Sequence, residues 1–162
     1  MADPAEHGAL TRKAIVAFGR AHAAAYEATD GRWGRRLRGK DMALVWTRGR
    51  RSGETRRTAL LCVPHGDDVL VAASFFGALR HPAWFLNLRD DPRCSVRHGR
   101  RRFPATSAVA QGDEHHHLWD IMTSVWPAYH GYQERTERQI PVVRISPLDV
   151  EPVEPHPGHP LG

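Results

Sequence analysis

Apolar and polar positions follow a definite order along the 162 residues. Between Leu10 and Tyr26, Ile15, Phe18, His22 and Ala25 recur at spacings of three, four and three. This predicts a helix with one apolar face. The apolar runs Ala43–Thr47, Thr58–Val63 and Val69–Ala73 predict strands, the last apolar throughout and therefore buried. His65-Gly66-Asp67-Asp68 supplies turn residues between the second and third. The pattern breaks over Ser74–Leu79. Pro82 then opens a short helix to Leu88, and Asp91-Pro92 ends it. Cys94–Arg97 and Arg101–Thr106 read as a hairpin around His98-Gly99-Arg100. Asp113 is the expected N-cap of a helix over Glu114–Val125, with Leu118, Ile121, Met122 and Val125 as its stripe. A short helix carrying Tyr129 and Tyr132 follows Pro127, and Ile140–Ile145 is the last strand. Short strands interleaved with helices predict a small barrel or α+β domain over residues 9–150. Met1–Gly8 and the proline-rich Glu151–Gly162 are expected to be disordered.

Between the first two strands lies Thr47–Arg57, with five arginines, two glycines and one acid. Gly49 and Gly53 let the backbone turn sharply and expose its N–H groups. Successive exposed N–H groups form an anion-binding nest, and arginine grips phosphate or carboxylate with a planar fork. The stretch fits capture of a polyanionic small molecule, and it equally fits a solvated charged turn.

The formal charge of +5, carried almost wholly by arginine, attracts nucleic acid, anionic membrane or an acidic cofactor. No nucleic-acid recognition motif accompanies it, which argues against a nucleic-acid partner. Cys62 and Cys94 are unpatterned and read as buried thiols in a reducing compartment. With no signal-peptide pattern and no apolar run approaching a membrane span, the expected location is the cytoplasm. The N-terminal helix, with Arg12, Lys13 and Arg20 beside its apolar face, fits packing on a core and also fits a peripheral membrane contact. His115-His116-His117 lacks the spacing of a metal site, so no metal is expected.

Several segments together resemble one family. Ala72-Ala73-Ser74 followed by His81-Pro82-Ala83-Trp84-Phe85-Leu86-Asn87-Leu88 resembles a signature of the deazaflavin (coenzyme F420)-dependent nitroreductases, also described as F420-dependent quinone reductases. Gly49-Arg50-Arg51-Ser52-Gly53 with Arg56 is similar to that family's phosphate-binding loop. Gly31-Arg32-Trp33-Gly34, Trp126-Pro127-Ala128-Tyr129, Tyr132-Gln133 and Ile140-Pro141-Val142-Val143 fit it as well. The resemblance runs in order from about Ala24 to Pro147.

It implies a split β-barrel of the flavin-reductase and pyridoxamine-phosphate-oxidase type, with coenzyme F420 as cofactor. It further implies hydride transfer to a planar quinone or nitro compound. Arg50, Arg51, Ser52, Gly53 and Arg56 would bind the cofactor's phosphate end, and Ala72, Ala73, Ser74 and Asn87 would lie by its ring. Trp84 would pack close by or belong to the core. Phe75, Trp126, Tyr129 and Tyr132 would line the acceptor pocket, with Tyr129 and Ser74 as candidate catalytic residues. The chain departs from the family pattern at Trp126, where tyrosine is common, at Phe75-Phe76, where small residues are usual, and at Ala59, which replaces a frequent proline. If the chain stayed extended there, Phe75 and Phe76 would point to opposite sides. A non-catalytic binder of F420, flavin or haem on the same barrel is the alternative.

Overall fold

The computed structural model describes residues 4–149. In chain order these form α1 (Pro4–Ala28), β1 (Arg36–Leu37), β2 (Lys40–Arg48), β3 (Thr55–His65), β4 (Asp68–Ala72), a 3-10 turn (Phe75–Gly77), α2 (Ala83–Asp90), β5 (Arg93–His98), β6 (Arg101–Val109), α3 (Gly112–Val125), α4 (Ala128–Glu134) and β7 (Val142–Pro147). All strand pairings are antiparallel, in the order β2-β3-β4-β7-β6-β5. Pairing of β5 back onto β2, with Val45 opposite Val96, closes the barrel and leaves only the short β1 outside it. This is the split barrel that the resemblance implies.

Side-chain alternation decides what each strand face covers. Ala43 and Val45 of β2 and Val69 and Val71 of β4 point into the barrel, where they meet Val96, Phe103, Val143 and Ile145. Trp84, Phe85 and Leu88 of α2 join the same cluster, so α2 stoppers one end of the barrel. Burying each of these large side chains contributes about 1.5–3 kcal/mol. Met42, Leu44 and Trp46 point outward and are covered by Ala23 and Tyr26 of α1. Leu70 and Ala72 point outward beneath Leu118 and Met122 of α3 and Tyr129 of α4. Both faces of β2 and β4 are therefore covered, which is why these strands read as unbroken apolar runs.

Several strands run longer than expected or are displaced by a few residues, and helices α1 and α3 differ in particular ways. The first helix begins at Pro4, so residues 4–8, expected to lack structure, are helical. Residues 1–3 and the proline-rich tail from 151 lie outside the described part. The buried side of α1 is set by His22, Ala23 and Tyr26, not by Phe18, which is 58% exposed. The Tyr26 hydroxyl donates to the Met42 carbonyl at 3.0 Å and locks that end of the helix to β2. Asp113 is not the N-cap of α3: Gln111 holds that position, and Asp113 and Glu114 sit in the first turn. There their negative charge complements the helix dipole.

Candidate active site

A cleft of about 1800 Å³ lies on the outer face of β3, between α1 on one side and α4 with the 3-10 turn on the other. Its residues come mainly from α1, the β2–β3 loop, the first half of β3, the segment from Ala72 to Asn87, and α4 with Trp126 before it. Along β3 the cleft is lined from Thr55 beside the loop to Leu61. Those positions are six residues apart, roughly 20 Å of extended strand. The cleft thus suits an elongated ligand, with the arginine loop and the aromatic residues at separate places along it.

Both ends of the arginine stretch are strand and carry three of its five arginines, Arg48, Arg56 and Arg57. β2 runs to Arg48 and β3 starts at Thr55, leaving Gly49–Glu54 as the loop. Gly49 N–H donates to the Glu54 carbonyl and Gly53 N–H to the Gly49 carbonyl, both at 2.7 Å. A side chain at Gly49 would meet Ser52 Oγ at 2.8 Å and the Glu54 carbonyl at 3.1 Å, and Gly53 has φ +71°. Glycine is required at both. Arg50 N–H donates to Asn87 Oδ1 at 3.2 Å, and Asn87 Nδ2 donates to Thr47 Oγ1 at 3.1 Å. Asn87 is buried on α2, so it fastens the base of the loop to the barrel stopper. Glu54 N–H donates to Ser52 Oγ. Among the described residues the N–H groups of Arg51 and Ser52 have no partner. Two successive free donors are the nest that an anion needs.

The arginines divide by partner. Arg57 pairs with Glu27 of α1 and ties helix to strand, while Arg56 pairs with Glu54 at 2.7 Å on the surface. Arg51 has no ion pair among the described residues. Arg12 and Arg20 of α1 also line the cleft. This donor set fits a ligand bearing phosphate and carboxylate groups, which F420 is.

At the end of β4 the chain does not stay extended. Phe75 has φ 42° and Phe76 has φ 57°, both left-handed. That conformation costs a non-glycine residue about 1–2 kcal/mol. Both rings therefore face the cleft instead of pointing to opposite sides. Phe76 meets the Tyr132 ring edge-on at 5.5 Å, and Arg12 of α1 lies 5.5 Å from the centre of the Phe75 ring. Gly77, at φ +78°, packs against α4 so closely that a Cβ would lie 2.3 Å from the Tyr132 carbonyl.

Arg138, just before β7, spans this turn. Its Nε donates to the Ala78 carbonyl at 2.9 Å, Nη1 to the Ala73 carbonyl at 3.2 Å and Nη2 to the Ser74 carbonyl at 3.0 Å. Nη1 also lies 3.3 Å from His81 Nδ1. Burial lowers the His81 pKa, and the nearby charges of Arg138 and Arg89 lower it further. The ring is thus held neutral, as an acceptor for the guanidinium requires. Sequence reasoning missed Arg138, whose one signal was its place immediately before Gln139 and the quoted Ile140-Pro141 motif. His81 opens the His81-Pro82-Ala83-Trp84 segment, whose pattern alone assigns it no role.

Of the residues singled out from sequence, Arg50, Arg51, Ser52, Arg56, Ala72, Ser74, Phe75, Asn87, Trp126, Tyr129 and Tyr132 come together in this one cleft. Gly53 and Ala73 do not line it: Gly53 shapes the loop, and Ala73 points into the barrel core. Trp84 belongs to that core and also borders the cleft. Tyr129 is buried, and among the described residues its hydroxyl has no hydrogen-bond partner. Burial, followed by the neighbouring Tyr132, raises its pKa, so the hydroxyl keeps its proton and remains a donor. Among the described residues no three His, Cys, Asp or Glu side chains are placed to hold a metal ion.

Residues 18–147 match the family model described as F420H(2)-dependent quinone reductase. The chain is 36% identical over 141 residues to the F420H(2)-dependent quinone reductase of Mycobacterium tuberculosis strain H37Rv, covering 85% of this chain and 95% of the relative. In three dimensions it is similar to an F420-H2 dependent reductase, FDR-A, with a TM-score of 0.61 and 32% identity over 65% of this chain and 93% of that one. A structure described as a domain-swapped dimer matches with the same TM-score and identity, over 65% of this chain and 79% of that chain. With a match over residues 18–147 and this degree of identity, the chain belongs to the F420H2-dependent quinone reductase family.

Proposed function

We propose that the chain is an oxidoreductase that uses coenzyme F420 and passes a hydride from its reduced form to a quinone. The observation that carries this is the single cleft joining an arginine-lined, donor-rich loop to a wall of Phe75, Trp126, Tyr129 and Tyr132. Reduced F420, when bound, supplies the hydride. The residues of the chain do the rest. Arg50, Arg51, Ser52 and Arg56, on the loop that Gly53 shapes, hold the phosphate and carboxylate end. Ala72, Ser74 and Asn87 would border the ring, and the small side chain of Ala72 would leave room for a planar group. Trp126, Tyr132 and Phe75 stack against the acceptor and keep it close to the ring. Tyr129 donates its proton to a hydrogen bond with the acceptor oxygen as negative charge develops there, and Ser74 is placed to assist.

The same wall accepts a planar nitro compound, so a nitroaromatic is a second acceptor class. The basic, exposed part of α1, with Lys13 and Arg20, also offers a contact to anionic lipid. Among the described residues no helix is long and apolar enough to cross a membrane, so such contact is peripheral and compatible with a cytoplasmic protein. Co-sedimentation with anionic but not neutral vesicles checks this; failure to sediment with either removes the lipid contact.

Fluorescence titration tests the cofactor assignment. F420 binds more tightly than FMN, because its oligoglutamate tail adds carboxylates for the arginines to hold, and the preference shrinks as salt screens those charges. Arg51→Ala weakens F420 binding by about 1–3 kcal/mol, the scale of a charge-assisted hydrogen bond. Equal affinity for F420 and FMN, unchanged by Arg51→Ala, contradicts the assignment.

A further inference from the structure

We propose that Arg138, together with His81, is the positioning residue that holds the segment from Ala73 to Ala78 in the shape that forms the acceptor wall of the cleft. The segment is strained: Phe75 and Phe76 are consecutive left-handed residues with bulky side chains. Within it, Gly77 N–H donates to the Ser74 carbonyl and Ala78 N–H to the Phe75 carbonyl. Those two local bonds close a turn without fixing how it sits on the barrel. Arg138 supplies what they lack. One planar guanidinium reaches the carbonyls of Ala73, Ser74 and Ala78, at both ends of the turn, and His81 just beyond it. It makes no ion pair with a carboxylate among the described residues, so its hydrogen-bonding capacity is committed to this backbone. A lysine point charge does not reproduce a fork that grips three carbonyls.

Arg138 touches no reacting atom; it acts through Ser74, Phe75 and Phe76, which line the cleft. Losing it frees the turn to leave the left-handed conformation and swings the two rings. The arginine loop is fastened separately, through Asn87, and stays in place. Ser74 serves both sides of the cleft, so an Arg138 variant should weaken acceptor recognition more than cofactor recognition. The bond to His81 adds a pH dependence. The charged groups acting on His81 are Arg138, from the α4–β7 connection, and Arg89 on α2, both cationic. The clamp is intact while His81 is neutral and loosens as pH falls through its lowered pKa, when two cations face each other at 3.3 Å.

The experiment compares full-length wild type with Arg138→Gln by hydrogen exchange and steady-state kinetics. The kinetic arm rests on the quinone-reductase reading, and the exchange arm does not. In Arg138→Gln the amides of residues 74–80 exchange about tenfold faster, while those of residues 49–54 do not change. KM for a naphthoquinone rises about fivefold or more, with KM for F420H2 within about twofold of wild type. Arg138→Lys falls between the two. In wild type the quinone KM rises on the acid side, and His81→Asn, which keeps an acceptor oxygen without titrating, removes that rise. Unchanged exchange at residues 74–80 overturns the proposal, as does a rise in KM for F420H2 equal to that for the quinone. Should Arg138→Gln fail to fold, His81→Leu removes the Nδ1 acceptor while keeping an apolar side chain beside Phe85, and exchange over the same residues decides in the same way. A wild-type protein inactive with every quinone counts against the functional reading and leaves the exchange result to judge the clamp.

Discussion

Tyr129 carries the sharpest chemical expectation at the scale of single residues. It is buried on α4, it lines the cleft, and burial keeps it protonated. A donor held ready in a partly dry site stabilises developing negative charge better than water does, because it needs no reorganisation. Tyr129→Phe is therefore expected to lower turnover with every quinone by up to about 10²-fold while leaving F420 affinity unchanged. Single-turnover rates check this, and an unchanged chemical step would reduce Tyr129 to packing. The arginine loop was legible at this scale because glycine and arginine are the residue types that an anion nest demands. How the five arginines divide was not. Glu27, which engages Arg57, is 30 residues away in sequence, and only closure of α1 onto β3 brings them together.

Elements carry the geometry that separates the two functions of the cleft. The loop belongs to the β2–β3 hairpin and is anchored on α2, whereas the acceptor wall belongs to the turn after β4 and to α4. Gly77 is the point where those last two meet. Gly77→Ala places a Cβ 2.3 Å from the Tyr132 carbonyl and forces alanine into φ +78°. Since backbone has to move, the variant loses about 1–3 kcal/mol of stability. It should also displace Tyr132, raising KM for the quinone. Urea denaturation with kinetics at a permissive temperature checks both effects, and wild-type values for each would show that α4 and the turn adjust freely. Strands and helices were readable from periodicity because β2 and β4 are covered on both faces and α3 on one. The left-handed pair Phe75-Phe76 was not readable. Bulky aromatic residues favour extended backbone, and what holds them otherwise is Arg138, more than 60 residues later.

Viewed as a whole, the molecule is a closed barrel carrying an elongated cleft on the outside of one strand. The buried residues of the barrel core, the α1 cluster and the α3–α4 cluster are distinct, and Leu61 of β3 packs against both outer clusters, so the two walls of the cleft meet on that strand. The fold class was legible from strand spacing and resemblance together, because closure of β5 onto β2 is a long-range pairing that no local pattern encodes. The positive charge was legible only as an attraction to anions; its concentration along the cleft emerges from the fold. The claim that unites these features is that one cleft holds the F420H2 and delivers its hydride to a quinone. The most direct test is to mix wild-type protein with stoichiometric F420H2, add a naphthoquinone in the absence of oxygen, and follow the return of the oxidised cofactor's absorbance. Oxidation that requires both protein and quinone, and that yields one quinol per cofactor oxidised, is the expected result. Tight F420H2 binding with no oxidation by any quinone would contradict the account and leave the chain a binding protein.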